Sequence, residues 1–344
     1  MKIAILLRGQ LRNVETGIYI LNKILSEKYP QHEFRIFLHG WNTRPQKNVY
    51  KIKVNNSWRM EEISKTELDQ YVKIINPDAY ELSQSRELSD FIKHDILDET
   101  YKDIAFIDWF KSLSLEETVE QVKFFYIPTQ TKEEFELRLV EANFLLGQHY
   151  SAAKSHEVYY QYKNKTGWVA DLVWMTRIDS TLNIDDSYWD NWFERTLNTI
   201  NNYLEYEYTQ NPIMTTELSS KGNIPFLCDI NFIMRDQDAK LFFGTNAKKR
   251  FKEIFIKDKL KMLPFLMTTK GFAHTFWTQL GSKVNFFQGD FPKETLIRKN
   301  FVLDKNFNND ISLRDLYLMC RETCYTAHNK YNNSTIEDTK KFII

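Results

Sequence analysis

The chain opens on two short apolar runs separated by an amphipathic stretch, an order that few folds accommodate. Residues 2–7 (Lys-Ile-Ala-Ile-Leu-Leu) and 34–39 (Phe-Arg-Ile-Phe-Leu-His) have the length and β-branched or aromatic content of buried strands. Between them, Ile18, Leu21, Ile24 and Leu25 recur at helical spacing. Strand, helix, strand at this distance is a βαβ unit, and a βαβ unit implies a parallel sheet covered by helices. The pattern continues: residues 67–75 read as a helix, Asn76-Pro77 breaks it, and residues 79–82 read as a short strand. Residues 85–131, rich in Asp, Glu, Lys, Phe and Tyr, read as a helical insertion. A helix is then expected from residue 132 to about 163, with Gly167 just beyond it.

The next segment carries the most chemistry. Residues 168–179 (Trp-Val-Ala-Asp-Leu-Val-Trp-Met-Thr-Arg-Ile-Asp) form an apolar run that stops at Arg177 and Asp179. It is too short to span a bilayer and reads as another buried strand. Two residues apart at a strand end, Arg177 and Asp179 project to one side. That sets a guanidinium fork beside a metal-capable carboxylate where open α/β sheets bind ligands. The competing reading is an edge salt bridge that merely ends the strand. Further on, residues 183–207 read as loop and helix. Residues 223–234 read as one strand with a polar interruption at Asp229. A long helix capped by Asp236 is expected to reach residue 261, and residues 283–287 read as a last strand.

Composition narrows the function. Lys+Arg 46 against Asp+Glu 46 gives no net charge, which weighs against duplex nucleic acid as the main partner. No apolar stretch approaches the ~20 residues of a membrane span. Cys228, Cys320 and Cys324 form no metal or redox pattern, so a reducing, cytoplasmic setting is expected.

Several residues are candidates for a site. Arg8-Gly9-Gln10-Leu11-Arg12-Asn13 reads as a polar loop after the first strand, where backbone N–H groups and two Arg side chains can meet a nucleotide. It lacks the glycines of the dinucleotide fingerprint and the Gly-Lys-Ser/Thr core of a P-loop, which excludes both motifs. Gln148, Ser151 and Ser155, with Lys154 beside them, lie on one helix face; this row either borders a ligand or is a solvated face. Asp229 interrupts an apolar run and is a candidate general base or a buried ion-pair partner. His274 is a candidate metal ligand alongside Asp179, or an ordinary surface or core residue. His39 is a candidate pocket wall or a packing residue.

Four of these segments, in this order, resemble a group of glycosyltransferase-like proteins common in viruses and bacteria. Residues 2–12 are similar to that group's opening strand followed by Ser-Gly-Gln-Leu-Arg, with Arg8 in place of the Ser. Phe37-Leu-His39-Gly-Trp41 is similar to its Phe-Ile-His-Thr-Trp. Gln148-His-Tyr-Ser-Ala-Ala-Lys154 looks like its Gln-x-Tyr-Ser-x-x-Lys helix. Asp171-Leu-Val-Trp-Met-Thr-Arg177-Ile-Asp179 looks like its Asp-x-Val-Ile-x-x-Arg-x-Asp strand. The likeness covers the first 180 residues in pieces.

The resemblance implies a GT-A-like, Rossmann-like α/β fold: a mixed, mostly parallel sheet flanked by helices, with the helical insertion. One catalytic domain would cover residues 1–330. Within it, 1–84 and 132–182 form the nucleotide-sugar core and 183–330 the acceptor side, leaving 331–344 as a tail. It implies transfer of a sugar from a UDP- or GDP-type donor to a hydroxyl of a glycan, a protein or a modified DNA base. Arg8, Gly9, Gln10, Arg12, Ser151 and Lys154 would line the donor pocket, and Arg177 and Asp179 would hold the diphosphate. Such folds use an Asp-x-Asp motif to hold Mn²⁺ or Mg²⁺; here Arg177 takes the first position, so either the guanidinium neutralises the diphosphate directly or Asp179 holds a metal together with His274, a residue taken from the sequence pattern and not from the resemblance. Two alternatives accompany this reading: transfer to hydroxylated bases of viral DNA, favoured by the Lys248-Lys249-Arg250 cluster, and a non-catalytic binding protein on the same fold.

Overall fold

The computed structural model describes residues 1–45, 60–84, 132–182, 187–205, 212–215, 218–221, 224–227, 231–247, 249, 285–288 and 294–296. The expected insertion at 85–131, Asp229, His274, the three cysteines and the tail lie outside them.

The first βαβ unit forms as its patterning demands. β1 (Lys2–Gln10) and β2 (Glu33–Trp41) pair in parallel along nine register positions, from Lys2 opposite Glu33 to Gln10 opposite Trp41. α1 (Val14–Lys28) connects them and buries Val14, Ile18, Leu21, Ile24 and Leu25 on the sheet. β1 is longer than expected. Arg8-Gly9-Gln10 is strand rather than loop, because backbone pairing to β2 continues after the side chains turn polar. Gly40 of β2 is fixed by space: a Cβ there would lie 2.9 Å from the Leu11 side chain.

A hairpin of β3 (Thr43–Pro45) and β4 (Met60–Glu62) follows, with no signal in the sequence reading. α2 (Lys65–Ile75) starts where the Ser64 hydroxyl accepts the Glu67 N–H and stops at Asn76 in the left-handed conformation, φ 49°. β5 (Ala79–Ser83) then pairs in parallel with the outer side of β2. α3 (Lys132–Thr166) ends at Gly167, φ +74°, whose N–H bonds the Lys163 carbonyl. It leads into β6 (Leu172–Arg177), parallel to β1 on the side away from β2. β7 (Ser180–Leu182) and α4 (Trp192–Glu205) come next.

Two expectations from the second half need correction. Residues 223–234 are not one strand: β10 (Ile224–Leu227) pairs with β9 (Leu218–Lys221), and β11 (Phe232–Arg235) runs antiparallel to β6 in the main sheet. The helix from Asp236 is short: α5 (Asp236–Phe243) ends at Gly244, φ 75°, where the glycine lets the chain leave the helix. β8 (Pro212–Thr215) pairs with β11 and with β12 (Asn285–Gln288), and β13 (Glu294–Leu296) pairs with β7.

The result is an α/β protein whose seven-stranded sheet has the order β12-β8-β11-β6-β1-β2-β5; its pairs are parallel except the two made by β11. Two cores sandwich it. Ile3, Ile5, Leu7, Leu172 and Trp174 face α1, α2 and α4; Ala4, Leu6, Phe37, Val173 and Met175 face α3 and α5. Each fully buried Leu or Phe contributes about 1.5–3 kcal/mol, so these layers hold the sheet rigid under the site. Among the described residues, no helix is long and apolar enough to cross a membrane.

Candidate functional site

The topology singles out one place. From β1 the chain winds outward through α1 to β2 and on to β5, with α1 and α2 on one face. It then returns through α3, on the other face, to β6 on β1's opposite side. Strand order therefore reverses between β1 and β6. In doubly wound sheets the connections leave a crevice at such a switch point, outside the carboxyl ends of the strands.

Charged residues meet there. Register puts Glu81 of β5 opposite His39 of β2, His39 opposite Arg8 of β1, and Arg8 opposite Arg177 of β6. Strand neighbours at one register position share a face, so these four residues make a row across the carboxyl ends of four parallel strands, on the α3 side. Arg177 is the last residue of β6, and Asp179 follows in the turn before β7. The pair forms a two-pronged fork: Arg177 Nε donates to Asp179 Oδ1 at 2.8 Å and Nη2 to Oδ2 at 3.0 Å. Arg12, just past β1, donates from Nε to Oδ2 at 2.5 Å. Burial alone would raise the Asp179 carboxyl. The Arg177 and Arg12 guanidiniums overcome that and hold it well below the usual carboxylate range, so Asp179 is ionised.

Arg8 is almost wholly buried beside His149, which the sequence reading did not single out. Burial first, and the Arg8 charge second, hold the His149 ring well below its ordinary value, so the imidazole is neutral next to the guanidinium. Gly9 takes φ +109°, a conformation costly for any side chain. No heavy atom of the described residues lies within 4 Å of a Cβ built on it. A small cavity lined by Leu7, Gly17, Ile18, Leu21, Thr176, Arg177, Ile178 and Ser180 measures about 10 Å³, the size of one water.

Ser151 and Lys154 hold this edge from behind. The fully buried Ser151 Oγ accepts the Gly9 N–H at 3.0 Å and lies 2.7 Å from His39 Nδ1. His39 Nε2 lies 3.0 Å from Ser83 Oγ, and that hydroxyl bonds Glu81 Oε1 at 3.3 Å. The chain of contacts runs from the Gly9 amide to a carboxylate at the protein surface. His39 is fully buried, edge-on to Trp41 and Tyr150, so it is a packed, hydrogen-bonded residue rather than a pocket wall. Lys154 lies between Glu81 at 3.2 Å and Glu157 at 3.1 Å; burial lowers its pKa, but Tyr150 first and then these two carboxylates raise it on balance. Ser155 turns inward and bonds the Ala152 carbonyl.

Of the residues singled out in the sequence, Arg8, Gly9, Gln10, Arg12, Arg177 and Asp179 gather at the switch point, and Ser151 and Lys154 back it. Asp229 and His274 lie outside the described residues. Among those residues, no three His, Cys, Asp or Glu side chains cluster as a metal site would. Glu81, Ser83 and His149 were missed; only the register of β5 and the path of α3 bring them in. No protein-family model matches this chain, and a comparison with curated proteins returns no match.

Proposed function

We propose that the protein is a glycosyltransferase of GT-A type that moves a sugar from a nucleotide-diphosphate donor to a hydroxyl acceptor. One observation carries this reading: Arg12 and Arg177 meet on Asp179, with Arg8 opposite Arg177 in register, where strand order reverses between β1 and β6. A mostly parallel α/β sheet offers its ligand crevice there, and guanidiniums are suited to gripping phosphate oxygens two at a time. The motifs similar to those of a glycosyltransferase group fall on the same edge, which favours a nucleotide sugar over a free phosphate.

In this reading the donor diphosphate lies against Arg12 and Arg177, close to Gly9. Negative charge grows on the leaving diphosphate as the glycosidic bond breaks. Fixed guanidiniums aimed at that charge lower the barrier without having to reorganise, which is the largest electrostatic contribution expected here. Ser151 and His39 act indirectly: they hold the Gly9 amide and so position the segment that carries Arg8 and Arg12. Inversion would require a base on the far side of the sugar, and Asp229 is the proposed base.

The test is donor hydrolysis, with UDP or GDP release measured over a panel of nucleotide sugars. Release that disappears in Arg177→Ala supports transfer chemistry. Tight nucleotide binding with no release under any acceptor supplied, including hydroxymethylated DNA, makes the protein a binding module instead.

A further inference from the structure

We infer that the switch-point site binds a diphosphate group without a divalent cation, and that Asp179 is the internal counter-anion that spaces Arg12 and Arg177 rather than a metal ligand. This rests on the donor-diphosphate reading above and names how that group is held.

The chemistry of the donor set is the first reason. Both Asp179 oxygens are taken by N–H groups: Oδ1 by Arg177 Nε at 2.8 Å, Oδ2 by Arg177 Nη2 at 3.0 Å and Arg12 Nε at 2.5 Å. A hard divalent ion needs several oxygen ligands in its first sphere. To use Asp179 it would have to strip two guanidiniums from a buried carboxylate and then sit among them. The residues present do not fit such an ion.

The local cations are the second reason. Arg12 and Arg177 both meet Asp179, so two guanidiniums stand where a divalent ion would otherwise neutralise a diphosphate.

Geometry is the third. Arg177 is locked by a two-point fork and its side chain is 17% exposed, so it is a fixed element. Arg12 meets Asp179 through Nε alone and is 36% exposed. Arg12 is therefore the residue able to swing from the carboxylate to an arriving phosphate, while the fork on Asp179 keeps Arg177 in place. Arg8 is opposite Arg177 in the register of β1 and β6.

The experiment is calorimetric titration of the full chain with inorganic diphosphate, UDP and GDP in EDTA, with UDP and GDP repeated in Mn²⁺. Binding in EDTA, with nucleotide affinity changing less than threefold in Mn²⁺, is the expected result. Arg12→Gln and Arg177→Gln should each weaken it tenfold or more, whereas Asp179→Asn should leave it within threefold or tighten it. Nucleotide binding that appears only with Mn²⁺ overturns the inference, as does Asp179→Asn abolishing a metal-supported affinity. No binding of any of the three in EDTA overturns it too. Because the EDTA comparison uses the unaltered protein, a variant that fails to fold does not blunt the test. Inorganic diphosphate binding without nucleotide binding upholds the metal-free site and defeats the nucleotide-sugar reading; nucleotide binding strictly dependent on Mn²⁺ does the reverse.

Discussion

β6 and its antiparallel neighbour β11 carry an Arg–Asp fork at each end of their shared ladder. At the carboxyl end of β6, Arg177 grips Asp179. At the other end, opposite Leu172, Arg235 grips Asp238 through Nε at 2.7 Å and Nη2 at 3.1 Å. The two forks have nearly the same geometry and opposite electrostatics. Asp179 has a second guanidinium, from Arg12, and is held below the carboxylate range. Asp238 is fully buried with one guanidinium and with Asp236 nearby; burial outweighs Arg235 and raises the carboxyl. Around Asp236 the charges close on themselves, since it takes bonds from Lys163 and from the Tyr159 hydroxyl. A fork alone is therefore no sign of function. What sets one of the two apart is the second guanidinium on its carboxylate.

The strongest way to break this contrast is to remove each arginine. Arg235→Ala leaves a buried carboxyl without its fork and should cost about 3–5 kcal/mol in urea unfolding, with nucleotide affinity unchanged in the folded fraction. Arg177→Ala should cost less, about 1–3 kcal/mol, because Arg12 still faces Asp179, yet nucleotide affinity should fall at least tenfold. Equal losses of affinity in the two variants would erase the distinction.

Acid should separate the two ends next. His156 of α3 is buried against the turn after α5, where its Nδ1 lies 2.7 Å from the Gly244 carbonyl. Burial pushes it down from 6.5 to about 4. Between those values the unfolded chain takes up a proton that the folded one refuses, so stability falls as pH drops through that window, by about 3 kcal/mol in all. Unfolding free energies at pH 7 and 4.5 should differ less in His156→Asn; an unchanged difference would show that another group governs it. Asp179 responds lower. Its folded value is depressed, so its contribution is complete above 3.8 and is lost as pH falls below that, a loss that Asp179→Asn should abolish. The smallest effect expected is that of Ser151→Ala, which removes the acceptor of the Gly9 N–H and should cost about 1 kcal/mol with a few-fold loss of nucleotide affinity. A tenfold or greater loss would make Ser151 a direct ligand contact rather than a support.

Side-chain periodicity made the first βαβ unit legible, because α1 turns one apolar stripe to the sheet and residues 3–7 are buried on both faces. Periodicity does not report backbone pairing, so it ended β1 at Leu7 although the ladder runs on to Gln10. The same blindness merged β10 and β11, whose partners are different strands. At the site, the spacing of Arg177 and Asp179 sufficed to expect their meeting. Arg12 joining them depends on β1 and β6 being neighbours, and the Glu81–His39–Arg8–Arg177 row depends on the register of four strands at once. One strand read by itself contains neither fact.

Three residues before Arg177, Trp174 packs edge-on to Trp192 at 5.4 Å and to Trp189 at 6.3 Å, while its indole N–H bonds Asn231. Tyr29 and Phe193 complete the aromatic nest. Indoles this close couple optically, so the strand that ends in the candidate anion site carries its own chromophore. Near-ultraviolet circular dichroism of the unlabelled protein then reads the seating of β6 directly, and with it the base on which Arg177 is fixed.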